Sequence, residues 1–317
     1  MKRLFTVLLI LSLVLPLSGC KGGCYESGSG PLSIVATVFP AFDFAREIAG
    51  EQASVCLLVP PGSESHSFEP TAQDILRIQN CDLLICNGGE SEVWLEDMLE
   101  GMEGDIPILV MMDCVQALEE EVKEGMQVQA HEHGGEESGH EPEYDEHVWT
   151  SPRNAALISQ AISQRLSSID PDNAEYYSSR SAAYCASLLS LDEDFARLLQ
   201  EAGRPTMIFA DRFPVRYFVE EYGLDYYAAY PGCAEQAEPS ARTVAFLIDK
   251  VRQEHTPAVF YIEFSNQKMA DVICEDTGCK KLLFHSCHNV TRQQLEEGVS
   301  YLGLMRGNLE TLKEAFG

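Results

Sequence analysis

Positive charge is what this sequence has least of. Its 317 residues hold 50 Asp and Glu against 22 Lys and Arg, a formal charge of −28 at pH 7. Nucleic-acid binding rests on neutralising phosphates with Lys and Arg, so that class is excluded. An acidic surface favours cations instead. There is no Cys-x-x-Cys pair among the 11 cysteines, which argues against a zinc ribbon. No apolar run beyond the first twenty residues is long enough to cross a bilayer. His-Glu-x-x-His and Gly-x-Ser-x-Gly are both missing, so the usual zinc-protease helix and hydrolase elbow are absent. No short internal or adhesive repeat occurs.

What is present begins at the N-terminus. Lys2 and Arg3 precede an apolar stretch, Leu4 to Leu17, followed by Ser18-Gly19-Cys20. This layout predicts a signal peptide over 1–19 rather than a membrane span. Leu17-Ser18-Gly19-Cys20 is similar to the bacterial lipobox, which implies acylation of Cys20 and attachment to the membrane by a lipid anchor. Gly and Ser over 20–30 predict a flexible tether. Loss of Lys2 and Arg3 with the signal brings the mature chain near −30. Export permits disulfides, but their pairing is not legible.

The remaining length suits two lobes of about 100–150 residues each. Short β-branched runs alternate with amphipathic stretches, which predicts α/β lobes with mainly parallel sheets. Strands are expected at 33–38, 53–59, 82–86 and 106–111, then at 206–210, 225–229, 258–263 and 281–284. Between the two sets, Asp172 to Ala202 runs without Gly or Pro, and Gly203 and Pro205 end it. Tyr177, Tyr184, Leu188, Leu191, Phe195 and Leu198 form one apolar stripe along it. The expected organisation is an N-terminal lobe over 31–171, a rigid linker helix over 172–203 and a C-terminal lobe over 204–317.

Four donors stand just beyond expected strand ends: His66, His147, Asp211 and His285. In open α/β sheets ligands bind beyond the carboxyl ends of strands, so these positions converge if the lobes face one another. Three imidazoles and one carboxylate suit zinc and accommodate manganese. Any one of them alone reads better as structural; four at equivalent places carry the weight.

The chain resembles the zinc- and manganese-binding solute receptors of bacterial ABC importers. The resemblance covers nearly the whole mature chain and rests on Ile34-Val35-Ala36-Thr37-Val38-Phe39-Pro40, Pro61 to Pro70, Cys86-Asn87-Gly88 and the closing pattern at 301–312. Its specific parts are His66-Ser67-Phe68-Glu69-Pro70 and Asp145-Glu146-His147-Val148-Trp149. It implies two lobes joined by a long helix, one metal in the cleft, His66 and His147 as ligands, and delivery to a membrane permease. The second lobe departs from the pattern. Asp211 stands where zinc members carry a third histidine, and His285 where an aspartate is usual. An exchange of roles keeps the ligand inventory unchanged. Glu263 is expected to ligate or to hold a ligand imidazole; His288 and Cys287 rank below His285.

Between Glu119 and His147 lie eleven acids, one base, and His131, His133 and His140. Such a segment resists packing and predicts a weak metal-collecting loop. The resemblance associates loops of this kind with zinc, which tips the choice from manganese. A non-catalytic, monomeric receptor that moves its lobes little is the reading; a secreted zinc-dependent hydrolase is the alternative, and a surface adhesin is remote.

Overall fold

The computed structural model describes residues 25–63, 68–102, 106–127, 143–232, 234 and 239–317. Two α/β layers follow one another. The first sheet has strands β1 (Tyr25–Ser27), β2 (Leu32–Ala36), β3 (Ala53–Leu57), β4 (Leu83–Cys86) and β5 (Ile108–Val110) in the order β1-β3-β2-β4-β5. All pairings are parallel except β1 on β3. The second sheet, β6 (Met207–Phe213), β7 (Tyr226–Pro231), β8 (Ala258–Tyr261) and β9 (Lys280–Leu283), is wholly parallel in the order β7-β6-β8-β9. The strand β1 lies where a flexible tether is expected; Tyr25 closes it down by packing edge-on against Phe42.

Helices α1 (Phe39–Ala49), α2 (Ala72–Gln79), α3 (Val93–Glu100), α4 (Pro152–Ile169) and α5 (Ala174–Glu201) belong to the first half and the join. The second half supplies α6 (Arg216–Tyr222), α7 (Ala241–Glu254), α8 (Lys268–Thr277), α9 (Arg292–Glu296) and α10 (Tyr301–Phe316). Local chemistry sets their starts. Thr71 with Asp74 and Thr291 with Gln294 form capping boxes, and Ser151, Ser240 and Ser300 accept an N–H from the opening turn. The apolar stretch 292–315 is divided into α9 and α10 at Gly298, whose φ of +78° no helix tolerates.

Strand side chains alternate between two buried layers. Ile34, Ala36, Val55, Leu57 and Ile85 enter one core with Phe209, Phe260 and Phe284 of the second sheet. Val35, Cys56, Leu84 and Cys86 face a separate layer with Leu95, while Ile208, Ala210 and Val259 do so with Leu247 and Ile273. The central core contains the α4 and α5 residues Ile158, Ile162, Tyr177, Leu188 and Phe195, all at 0% exposure. The 28-residue helix α5 runs roughly 42 Å at 1.5 Å per residue. It joins the two α/β halves as expected, and the α4–α5 pair packs in a core that also takes in residues of both sheets.

Candidate metal site

Loops at the carboxyl ends of both sheets meet at one small cavity. Its wall is formed by Ser63 after β3, His147 before α4, Arg212 in β6 and Pro214 just after it, Glu263 and Phe264 after β8, and Ser286, His288 and Asn289 after β9. The lobes are fastened around it. The Asn289 side-chain amide donates to the carbonyls of Pro60 (3.0 Å) and Ser63 (2.7 Å). The Trp149 indole donates to the Ser286 carbonyl at 2.8 Å, and the Tyr217 hydroxyl to the Asp145 carbonyl at 2.8 Å. The cavity holds about 20 Å³, space for roughly one water-sized body.

His147 is 2% exposed and sits at the entry to a single 3₁₀ turn, Val148–Thr150. Asp145 Oδ1 accepts its backbone N–H at 2.8 Å and faces its Nδ1 at 3.2 Å. With the Nδ1 proton given to that carboxylate, Nε2 keeps its lone pair, the arrangement a metal-binding imidazole requires. Burial alone would lower the His147 pKa, but the charges of Asp145 and Glu146 outweigh burial and the opposing Arg212 and hold it above the ordinary value. Glu146 is itself held by the backbone N–H of Ser91 at 2.8 Å and by the Ser91 hydroxyl. Gly89 beside it is obligatory: a Cβ there would meet Glu146 Oε1 at 2.6 Å, and φ is +88°.

The loop after β9 decides which second-lobe histidine reaches the cavity. Glu263 accepts the Ser286 hydroxyl, the Ser286 N–H at 2.7 Å and the His288 N–H at 3.3 Å, so its carboxylate is spent on holding this loop. Cys287 takes a left-handed φ of +63°, which reverses the side-chain directions around it. His288 lies on the cavity wall, its ring 5.4 Å from that of His147 and 5.2 Å from that of Trp149. His285 lies outside the wall. Its backbone is bound on both sides by Asn308, at 2.7 and 2.8 Å. Its Nδ1 lies between the Cys287 N–H at 3.0 Å and the Glu263 Oε2 at 3.5 Å.

Asp211 is expected just after a strand, yet β6 continues past it to Phe213 through an irregularity between Phe209 and Arg212. Asp211 Oδ1 accepts the Arg212 N–H at 2.9 Å, while Oδ2 is buried without a hydrogen-bond partner. Burial, offset in part by a Ser265 hydrogen bond and by Arg212, raises its pKa, and Asp211 itself is not on the cavity wall. Its chain neighbour Arg212 lines the cavity. Among the described residues no three His, Cys, Asp or Glu side chains form a ready-made metal group. His66, Cys20 (the expected lipidation residue), and His131, His133 and His140 lie outside the described residues. The described residue nearest in sequence before His66 is Ser63, on the wall.

Comparison with known proteins follows this geometry. Residues 34–315 match the family described as zinc-uptake complex component A, periplasmic. The zinc-binding lipoprotein AdcA of Streptococcus pneumoniae is 30% identical over 291 residues, which are 91% of this chain and 56% of AdcA. The chain thus spans little more than half of that relative. The high-affinity zinc uptake system protein ZnuA of Bacillus subtilis is 29% identical, with 94% of this chain and 91% of ZnuA covered. The Zn(II)-bound ZnuA-like domain of S. pneumoniae AdcA superposes with a TM-score of 0.73 at 27% identity, covering 90% of this chain and 99% of the domain.

Proposed function

The chain belongs to the periplasmic zinc-uptake component A family, and from that premise we propose that it is the metal-capturing receptor of a bacterial ABC importer. The observation that carries this reading is the cavity itself. At about 20 Å³ it is far below the roughly 300–1,000 Å³ of small-molecule sites, so it selects a single ion. Its wall offers one carboxylate-oriented imidazole facing a second.

The ligands are His66, His147 and His288, with the carboxylate supplied by Asp211, which is next in the chain to Arg212 of the wall. This keeps the expected inventory of three imidazoles and one carboxylate, with His288 in place of His285. Nitrogen-rich sets of this kind suit zinc and accept manganese less readily. Glu263 positions the His288 loop rather than ligating. Four protein donors leave no open position for an activated water, which speaks against the hydrolase alternative. The relatives above carry names of zinc binding and uptake, not of hydrolysis.

Acylated Cys20 anchors the monomeric receptor outside the cytoplasmic membrane, and a permease of that membrane takes the ion. His131, His133 and His140 raise the local zinc concentration. Elemental analysis of protein purified without added metal, followed by competition titration, tests the reading. We expect one tight zinc per chain that survives deletion of 131–140. A chain that binds no stoichiometric metal, or loses its tight site with that deletion while His147→Ala keeps it, refutes the assignment.

A further inference from the structure

Among the described residues, seven cysteines carry free thiols. Five of them turn their sulfur toward a backbone carbonyl: Cys81 to Ile78, Cys86 to Leu109, Cys114 to Val110, Cys185 to Ala156 and Cys287 to His285. Cys274 and Cys279 turn toward each other instead, Sγ to Sγ at 3.3 Å. Cys274 lies in the last turn of α8 and Cys279 immediately precedes β9. The turn between them is closed by Gly278, at φ +76°, whose N–H reaches the Cys274 carbonyl at 2.8 Å. Both sulfur-bearing residues are half-buried, within reach of a reagent.

We propose that Cys274 and Cys279 are an oxidation site, closing an intrachain disulfide that clips α8 to β9. The two sulfurs need approach by only about 1.2 Å to reach the roughly 2.05 Å of a disulfide bond. The chain already contains an oxidised cysteine, since Cys56 is disulfide-bonded. The oxidant is a disulfide of an extracytoplasmic thiol–disulfide oxidoreductase. One cysteine thiolate attacks it, forming a mixed disulfide and expelling one oxidoreductase thiolate. The second cysteine thiolate then attacks the chain's sulfur in that mixed bond and expels the other. The chain loses two protons and two electrons, and the oxidoreductase gains them as two thiols. The clip joins the helix that follows the Glu263 loop to the strand that leads into the His288 loop.

The test uses the full chain, exported and purified without reductant. The protein is denatured in excess iodoacetamide and digested with trypsin. Cleavage after Lys268 and Lys280 yields Met269–Lys280, which carries these two cysteines and no other. We expect that peptide unalkylated and two hydrogens lighter than the dithiol, gaining two alkyl groups only after reduction. Double alkylation without reductant, or linkage of either residue to another cysteine, overturns the proposal. In the Cys274→Ser variant, Cys279 should alkylate without reductant. If it stays blocked, something other than Cys274 blocks it and the proposal fails.

Discussion

A metal-binding imidazole needs one nitrogen held by an acceptor and the other bare. His147 meets that requirement through Asp145 and shares the cavity wall with His288, whereas His285 lies outside that wall. His288→Ala should therefore weaken zinc binding by more than about 100-fold, beyond the roughly 10–100-fold of an outer-shell change. His285→Ala should cost less than about 10-fold, and competition titration of the two variants against one chelator decides the order. The same reasoning gives the pH dependence. Protons compete with metal for His147 Nε2, and Asp145 and Glu146 hold that imidazole's pKa above the ordinary 6.5. Affinity should thus begin to fall above pH 6.5 as the solution is acidified. Asp145→Asn should move the onset to lower pH and weaken binding by about 10–100-fold. At this scale sequence carried much, but not all. His147 stood out through its Asp-Glu-His-Val-Trp context. That His288 rather than His285 lines the cavity was hidden, since the loop turns through a left-handed Cys287, a conformation that a glycine would have announced.

At the scale of elements, alternation and capping residues made the parallel strands and most helices legible. Three features escaped because they are settled by distant contacts. Tyr25–Ser27 reads as tether until it finds β3; the break at Gly298 needs Ser300 to open a new helix; and the apolar stripe of α5 does not say what it packs against. The last matters for stability. Leu188 is fully buried in the core shared by both sheets, so Leu188→Ala should destabilise by about 2–5 kcal/mol. Because that core is continuous, both halves should be lost in one transition. Urea unfolding followed by fluorescence of Trp94 and Trp149 and by far-ultraviolet circular dichroism should give superimposable curves; two separated midpoints would show independent lobes.

At the scale of the whole molecule, folding and metal binding respond to protons in opposite directions. Burial, relieved in part by Arg46 and the Tyr301 N–H, raises Asp43 from 3.8 to about 6. Burial, opposed by Thr37 and by the Gly88 and Asn87 N–H groups, raises Glu92 from 4.5 to about 7. The folded chain therefore binds more protons than the unfolded chain between about pH 4 and 7, and its stability rises as pH falls through that window. Raised His147 acts in the same direction, its contribution being full below pH 6.5 and lost as pH rises through its higher folded value. The metal-free Tm should be higher at pH 6 than at pH 8, whereas the increment added by zinc should shrink over the same change. Calorimetry at both pH values, with and without zinc, checks both halves of this statement.

The amide groups Asn289 extends to Pro60 and Ser63 bear on time rather than on affinity alone. If the shared core keeps the lobes from swinging apart, ion release should require a loop at the rim to lift. Asn289→Ala removes the side-chain donor from the part-buried Ser63 carbonyl and leaves the Pro60 carbonyl with the Ser63 N–H, at about 0.5–1.5 kcal/mol for each bond lost. Much of that loss should appear as a faster escape of the ion. In hydrogen exchange, amides of β2, β4, β6 and β8 should open together in the slowest class, as one foldon. Those at 285–289 should exchange sooner, and sooner still once Asn289 is gone. The residence time of the cargo is then set by the latch at the rim, while the two sheets stay closed as a single rigid frame.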